Sequence, residues 1–162
     1  MKTVLFFLLF PAFAYGQTIH VKDKKIVYEG KEDLGRPMNP VTEVQLERIL
    51  GIQGQHKAGE LEEKSVAVYG RMKLKTPYPL MRYVNYRFKL TTLDSGYKYV
   101  IDSVYYTEQE RGRKIDTFSS EKMVDRMGET GAVVGETEKI LNETDMRFEK
   151  LIAVLRSEMK KS

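Results

Sequence analysis

Apolar and polar residues alternate through the middle of the chain. Val66, Val68, Met72 and Leu74 are spaced by Ala67, Tyr69, Arg71, Lys73 and Lys75. Further on, Val84, Tyr86, Phe88 and Leu90 are spaced by Tyr83, Asn85, Arg87, Lys89 and Thr91. Successive side chains of an extended strand point to opposite faces. The pattern therefore predicts two strands, each with one buried and one wet face. Asp94-Ser95-Gly96 reads as the hairpin turn into a third strand, with Gly96 free to take a positive φ. That strand changes phase: Tyr97, Tyr99 and Ile101 share one parity, Val104 and Tyr106 the other. An extra residue near Asp102-Ser103 reconciles them, so a β-bulge is expected there, and it would curve the sheet. The rival account is a strand covered on both faces. The connections are short enough to make an antiparallel meander.

The period then changes to that of a helix. From about Glu136 to Lys160, Ile140, Leu141, Thr144, Phe148, Leu151, Ile152, Leu155 and Met159 recur every three or four residues. They form one continuous stripe, and the apolar face of the meander is the partner available to it. Before this helix, Gly128 to Gly135 reads as a flexible connector, Glu108 to Lys114 as a charged turn, and Ser119 or Ser120 as the cap of a short helix ending near Met127. Toward the N-terminus, Ile19 and Val21 face Ile26, Val27 and Tyr28 across the polar turn Lys22 to Lys25, a short hairpin. Gly30 to Pro40 carries loop signals. Thr42 and Gln45 form a capping box, with Val41 and Leu46 as its hydrophobic staple. Val44, Leu46, Ile49 and Leu50 make an apolar stripe, and Gly51 is the stop. Gly51 to Lys64 reads as a loop.

The first residues form a different kind of segment. Lys2 precedes the apolar run Val4 to Phe10, Pro11 ends it, and Ala14 and Gly16 are small residues before Gln17. This is the three-part layout of a cleavable secretory signal. The run is far short of the ~20 residues that span a bilayer. Residues 1–16 are thus expected to be removed, leaving a single domain over 17–162 with no membrane span, in the periplasm or outside the cell.

Composition narrows the chemistry. The chain has no cysteine, which excludes disulfides, thiolate metal sites, a cysteine nucleophile and the lipid-bearing cysteine of a lipoprotein. Its formal net charge is +4, from 27 Lys and Arg against 23 Asp and Glu. Both signs are interspersed, which favours solubility and does not mark a nucleic-acid binder. His20 and His56 lie apart, with no ligand partners in reach of sequence. Glu60, Glu62 and Glu63 cluster in a loop and read as solvated. Gly128, Gly131 and Gly135 precede a helix but lack the ending of a phosphate-binding loop. Asn142-Glu143-Thr144 matches a glycosylation sequon on a helix and is discounted. No catalytic, metal or cofactor residue is assigned.

One surface has binding chemistry. Tyr69, Arg71, Lys73, Tyr83, Arg87 and Lys89 share the polar parity of two strands expected to be neighbours. Rings interleaved with cations on a sheet suit nucleic acid or acidic glycans, by charge and by stacking, and export weighs against nucleic acid. The plain alternative is the ordinary wet face of a one-sided sheet.

The meander also carries a likeness. Val66-Ala-Val-Tyr-Gly-Arg-Met-Lys-Leu74, Tyr86-Arg-Phe-Lys-Leu90 and Asp94-Ser-Gly-Tyr-Lys-Tyr-Val-Ile101 resemble strands of an exported Bacteroidetes family of unknown function with a TBP-like fold. The order of elements agrees from about Ile19 to Lys160. The first helix is shorter here, and the hairpin turn lacks the family's lysines and one residue. The resemblance implies the fold and brings no activity or site residue.

The expectation is an α+β domain: a curved antiparallel sheet, made of the meander and N-terminal strands, with a long C-terminal helix packed on one face. Its expected role is a non-catalytic periplasmic or envelope binding module, its partner an envelope protein or acidic glycan and not nucleic acid. The alternative is a periplasmic hydrolase using carboxylates.

Overall fold

The computed structural model describes residues 20–52, 64–77, 79–127 and 132–161. The signal segment, His56, the Glu60–Glu62–Glu63 cluster, Gly128 and Gly131 lie outside the described residues.

The chain opens with the short hairpin β1 (Val21–Lys22) and β2 (Lys25–Ile26). Its turn residues Asp23 and Lys24 have φ of 50° and 63°, the left-handed pair that matches the twist of two tightly joined strands. The expected loop from Gly30 is corrected at its start. The chain stays extended as β3 (Tyr28–Asp33), paired antiparallel from Tyr28 opposite Ile101 to Asp33 opposite Gly96. Gly30 serves close packing here, not a turn, because a Cβ would run into the ring of Tyr99. Helix α1 (Glu43–Leu50) has the expected capping box. Gly51 ends it at φ 63°, with the N–H groups of Gly51 and Ile52 donating to the carbonyls of Arg48 and Glu47. Leu46 and Leu50 are buried, but Val44 stays 59% exposed and leaves the expected stripe.

The meander is β4 (Ser65–Leu74), β5 (Leu80–Leu93), β6 (Gly96–Glu110) and β7 (Arg113–Ser119). The bulge is where the parity change put it. Asn85 faces Tyr105 and Arg87 faces Asp102, so Tyr86 alone spans Ser103 and Val104, and Ser103 takes φ 51°. Tyr97, Tyr99, Ile101, Val104 and Tyr106 can then all be buried. Gly96 does not use a positive φ. It lies inside β6, where a Cβ would meet the backbone carbonyl of Glu32.

The ends of β6 and β7 together replace most of the expected charged turn, which shrinks to Arg111 and Gly112, both at positive φ. Only Phe118 of β7 is buried, so no alternation announces the strand. Both β3 and β7 pair with β6, β3 along Gly96 to Ile101 and β7 along Tyr105 to Glu110. The five-stranded sheet runs β3-β6-β5-β4, with β7 beside the far half of β6, and it is not closed.

Ser119 caps α2 (Ser120–Arg126), its hydroxyl accepting from the Lys122 N–H at 3.4 Å. Helix α3 (Ala132–Lys161) starts before Glu136 and takes in Gly135. Its whole predicted stripe is buried. Phe148 sits edge-on between the rings of Tyr28 and Tyr86, at 5.2 and 5.0 Å. Polar groups within this interface are paired, since burying them bare would cost stability. Tyr28 donates to Asp145 at 2.6 Å, and Tyr106 meets Thr144 at 3.1 Å. Burial, aided by the bond to Asp145, pushes the Tyr28 hydroxyl well above its ordinary proton affinity. Burial likewise pushes Tyr97 and Tyr106 up to about 12. The class is α+β: an antiparallel sheet with a long C-terminal helix over one face.

Candidate functional site

All three described helices send buried apolar residues into one core cluster with the inward face of the sheet. The outward face has the opposite parity and, among the described residues, carries no helix. Residues 53–63, which include most of the Gly51–Lys64 loop, lie outside the described residues.

The structure brings the sequence-predicted residues together. Tyr69 lies opposite Arg87, Arg71 opposite Asn85, and Lys73 opposite Tyr83, with Lys89 beside Ala67. Strand pairing makes these direct cross-strand neighbours. The guanidinium of Arg71 rests 3.7 Å from the centroid of the Tyr83 ring, a cation held against the negative face of an aromatic. Arg87 makes a two-pronged contact with Asp102, both bonds 2.7 Å. That hydrogen bonding raises the proton affinity of Arg87 and fixes its plane. Lys89 is also engaged. Lys75 departs from the face at the strand end, where its backbone N–H donates to Glu143 on α3 at 2.8 Å.

Sequence reasoning missed two partners on this face. Asp102 lies on the turn side of the bulge, where the register set by Leu93 opposite Gly96 runs unbroken to Arg87 opposite Asp102. Tyr105, opposite Asn85 and 43% exposed, extends the aromatic row onto β6. The bulge was legible, and threading the register through it would have placed Tyr105; Asp102 needed the tight turn that pairs Leu93 with Gly96.

A second polar cluster lies on the buried face. Arg82 has the parity of Val84, Tyr86 and Phe88, and its side chain is 8% exposed. Its Nε donates to Glu108 at 2.6 Å and its terminal nitrogen to Glu136 at 2.9 Å. It borders a cavity of about 960 Å³ that also touches Lys139, Ile140 and Met146. The parity of Arg82 was the signal: a cation among core positions needs buried anions.

The hydrolase alternative needs a carboxyl group that holds its proton, which a general acid requires. Among the described residues, Asp33 and Glu121 are held the other way. The Gly35 N–H bonded to Asp33 holds that carboxyl low, and the Glu121 backbone N–H does the same for Glu121. His20 is exposed, its ring 5.0 Å from that of Tyr28. Among the described residues no three His, Asp or Glu side chains are grouped as metal ligands. None of the described helices is long and apolar enough to cross a membrane.

No family model and no curated protein matches the chain. Two solved structures share its architecture. A TBP-like protein from Parabacteroides distasonis superimposes with a TM-score of 0.60 at 14% identity, over 85% of this chain and 95% of that one. A DUF4468 family protein from Bacteroides ovatus does so with a TM-score of 0.58 at 12% identity, over 88% and 90%. At such identities the likeness establishes the fold, which is TBP-like. It agrees with the resemblance seen in the meander, to a Bacteroidetes family of unknown function with that fold.

Proposed function

We propose that this TBP-like domain is an exported, non-catalytic binding module of the periplasm or cell exterior, and that it holds an acidic envelope glycan on the outward face of its sheet. The observation that carries the reading is the ordered cation–ring array on that face: Arg71 laid on Tyr83, and Arg87 clamped by Asp102 beside Tyr69. Side chains already held in place lose less freedom on binding. The tyrosine rings offer stacking surface for a sugar, and the cations attract its carboxylates. An acidic envelope protein is the other partner of matching chemistry.

Attraction at exposed charges is screened beyond about 8 Å at physiological ionic strength, so binding weakens as salt rises. Arg71→Ala combined with Arg87→Ala should weaken binding to a uronic-acid glycan about tenfold at low salt, each exposed contact being worth under ~1 kcal/mol. Circular dichroism should report an unchanged fold. Undiminished binding by the folded double variant would remove the face from the site.

Export rests on the signal layout of residues 1–16. Intact-mass measurement of the protein from its native envelope fraction should give a chain starting at Gln17. A species retaining Met1 would contradict export by cleavage.

A further inference from the structure

A separate cavity of about 410 Å³ opens on the helix side, between the segment after β3, helix α1 and the end of α3. Its apolar lining includes Leu34, Met38, Val41 and Ile49, which pack partly buried against the core, and the buried Met159. Two exposed arginines, Arg36 and Arg48, stand in its wall. Among the described residues neither guanidinium is paired with a carboxylate. Arginine stays charged at any physiological pH and offers a fork of donors that fits a carboxylate.

The wall is built before any ligand arrives. Gly35 turns at φ 65°, and its N–H donates to Asp33 at 2.8 Å. Pro37 and Pro40 lock two further φ angles. On the other side, the capping box and the Gly51 stop hold both ends of α1. A preformed hollow that joins apolar side chains to a few polar ones, here Arg36, Asn39, Gln45 and Arg48, is a common form of a small-molecule site, and its volume lies within the common range of about 300–1,000 Å³.

We propose that this cavity binds a small anionic amphiphile, a medium-chain fatty acid, with the acyl chain against Leu34, Val41, Ile49 and Met159 and the carboxylate between Arg36 and Arg48. Charge complementarity selects this occupant over a neutral lipid, and the apolar lining selects it over a bare anion. The site lies on the helix side of the sheet and does not depend on the outward face.

The test is calorimetric titration of the full mature chain with decanoate below its micellar range, alongside decanol and acetate, with amide NMR shifts recorded in parallel. Decanoate should bind saturably and shift amides of residues 34–49. Decanol and acetate should bind at least about tenfold more weakly, since each lacks one half of the recognition. Arg36→Ala with Arg48→Ala, both at exposed positions, should cost decanoate a similar factor, and Arg48→Glu should do so alone. The proposal is overturned by any of three results: no saturable decanoate binding, decanol bound as tightly, or full affinity in the folded double variant. A peptide with a free C-terminal carboxylate that bound where decanoate did not would overturn it as well.

Discussion

Replacing Phe148 by alanine should lower the stability of the domain by about 3–5 kcal/mol, the range for a fully buried aromatic cut back to a methyl group. Phe148 is 0% exposed and sits edge-on to Tyr28 from β3 and Tyr86 from β5. One truncation therefore opens a void where helix α3 meets both an edge strand and a central strand. Typical domains have a total stability of ~5–15 kcal/mol, so the loss is a large share. Urea unfolding should show a lower midpoint with an unchanged slope. A midpoint equal to that of the native sequence would mean that α3 is not part of the core.

The second large effect is expected at Arg82. Arg82→Ala removes the cation that serves Glu108, whose side chain is 15% exposed, and Glu136, which is 64% exposed. Removing one partner of a buried pair typically costs ~3–5 kcal/mol, because the remaining charge is stranded. The exposure of Glu136 places this case near the lower end, at about 3 kcal/mol. A companion change tests the cause. Arg82→Met with Glu108→Leu replaces the pair by apolar groups and should recover most of the loss. If Arg82→Ala shifted stability by no more than an ordinary surface substitution, within ~0.5 kcal/mol, the cluster would have no structural role.

These cases show which features of the fold were legible. The α3 stripe and the β4 and β5 alternation were readable because each buries one face, and a single buried face leaves its period in the sequence. The bulge was readable for the same reason: a phase change among buried residues has few causes. Strand β7 was not, because only Phe118 is buried there and backbone pairing with β6 holds the rest without a side-chain pattern. The extension of β3 past Gly30 was hidden because that glycine makes room for Tyr99, and glycine is more often a turn residue. Val44 was misassigned because helical spacing gives a face and not its coverage; α1 spans only Glu43–Leu50 and buries a narrow stripe.

The candidate face was half legible. Parity alone put Tyr69, Arg71, Lys73, Tyr83, Arg87 and Lys89 on one side of two strands, and the strand register makes them neighbours. The clamp of Asp102 on Arg87 depends on the turn closing on Leu93 and Gly96, one residue tighter than the turn expected from the sequence, which is a fact of the folded chain. The same holds for the cavity near Arg36 and Arg48, whose walls come from three separated segments.

The central claim is that the outward face of the sheet is where a partner docks, and its tyrosines make that directly measurable. Tyr69, Tyr83 and Tyr105 lie outward, whereas Tyr28, Tyr86, Tyr97, Tyr99 and Tyr106 are buried on the other side. Hydroxyl-radical footprinting of the mature protein, free and saturated with oligogalacturonate at low salt, reads both sets in one experiment. The account predicts that Tyr69, Tyr83 and Tyr105 are modified in the free protein and protected in the complex, while the buried set stays unmodified in both. Saturating binding that left the outward tyrosines as reactive as before would contradict it.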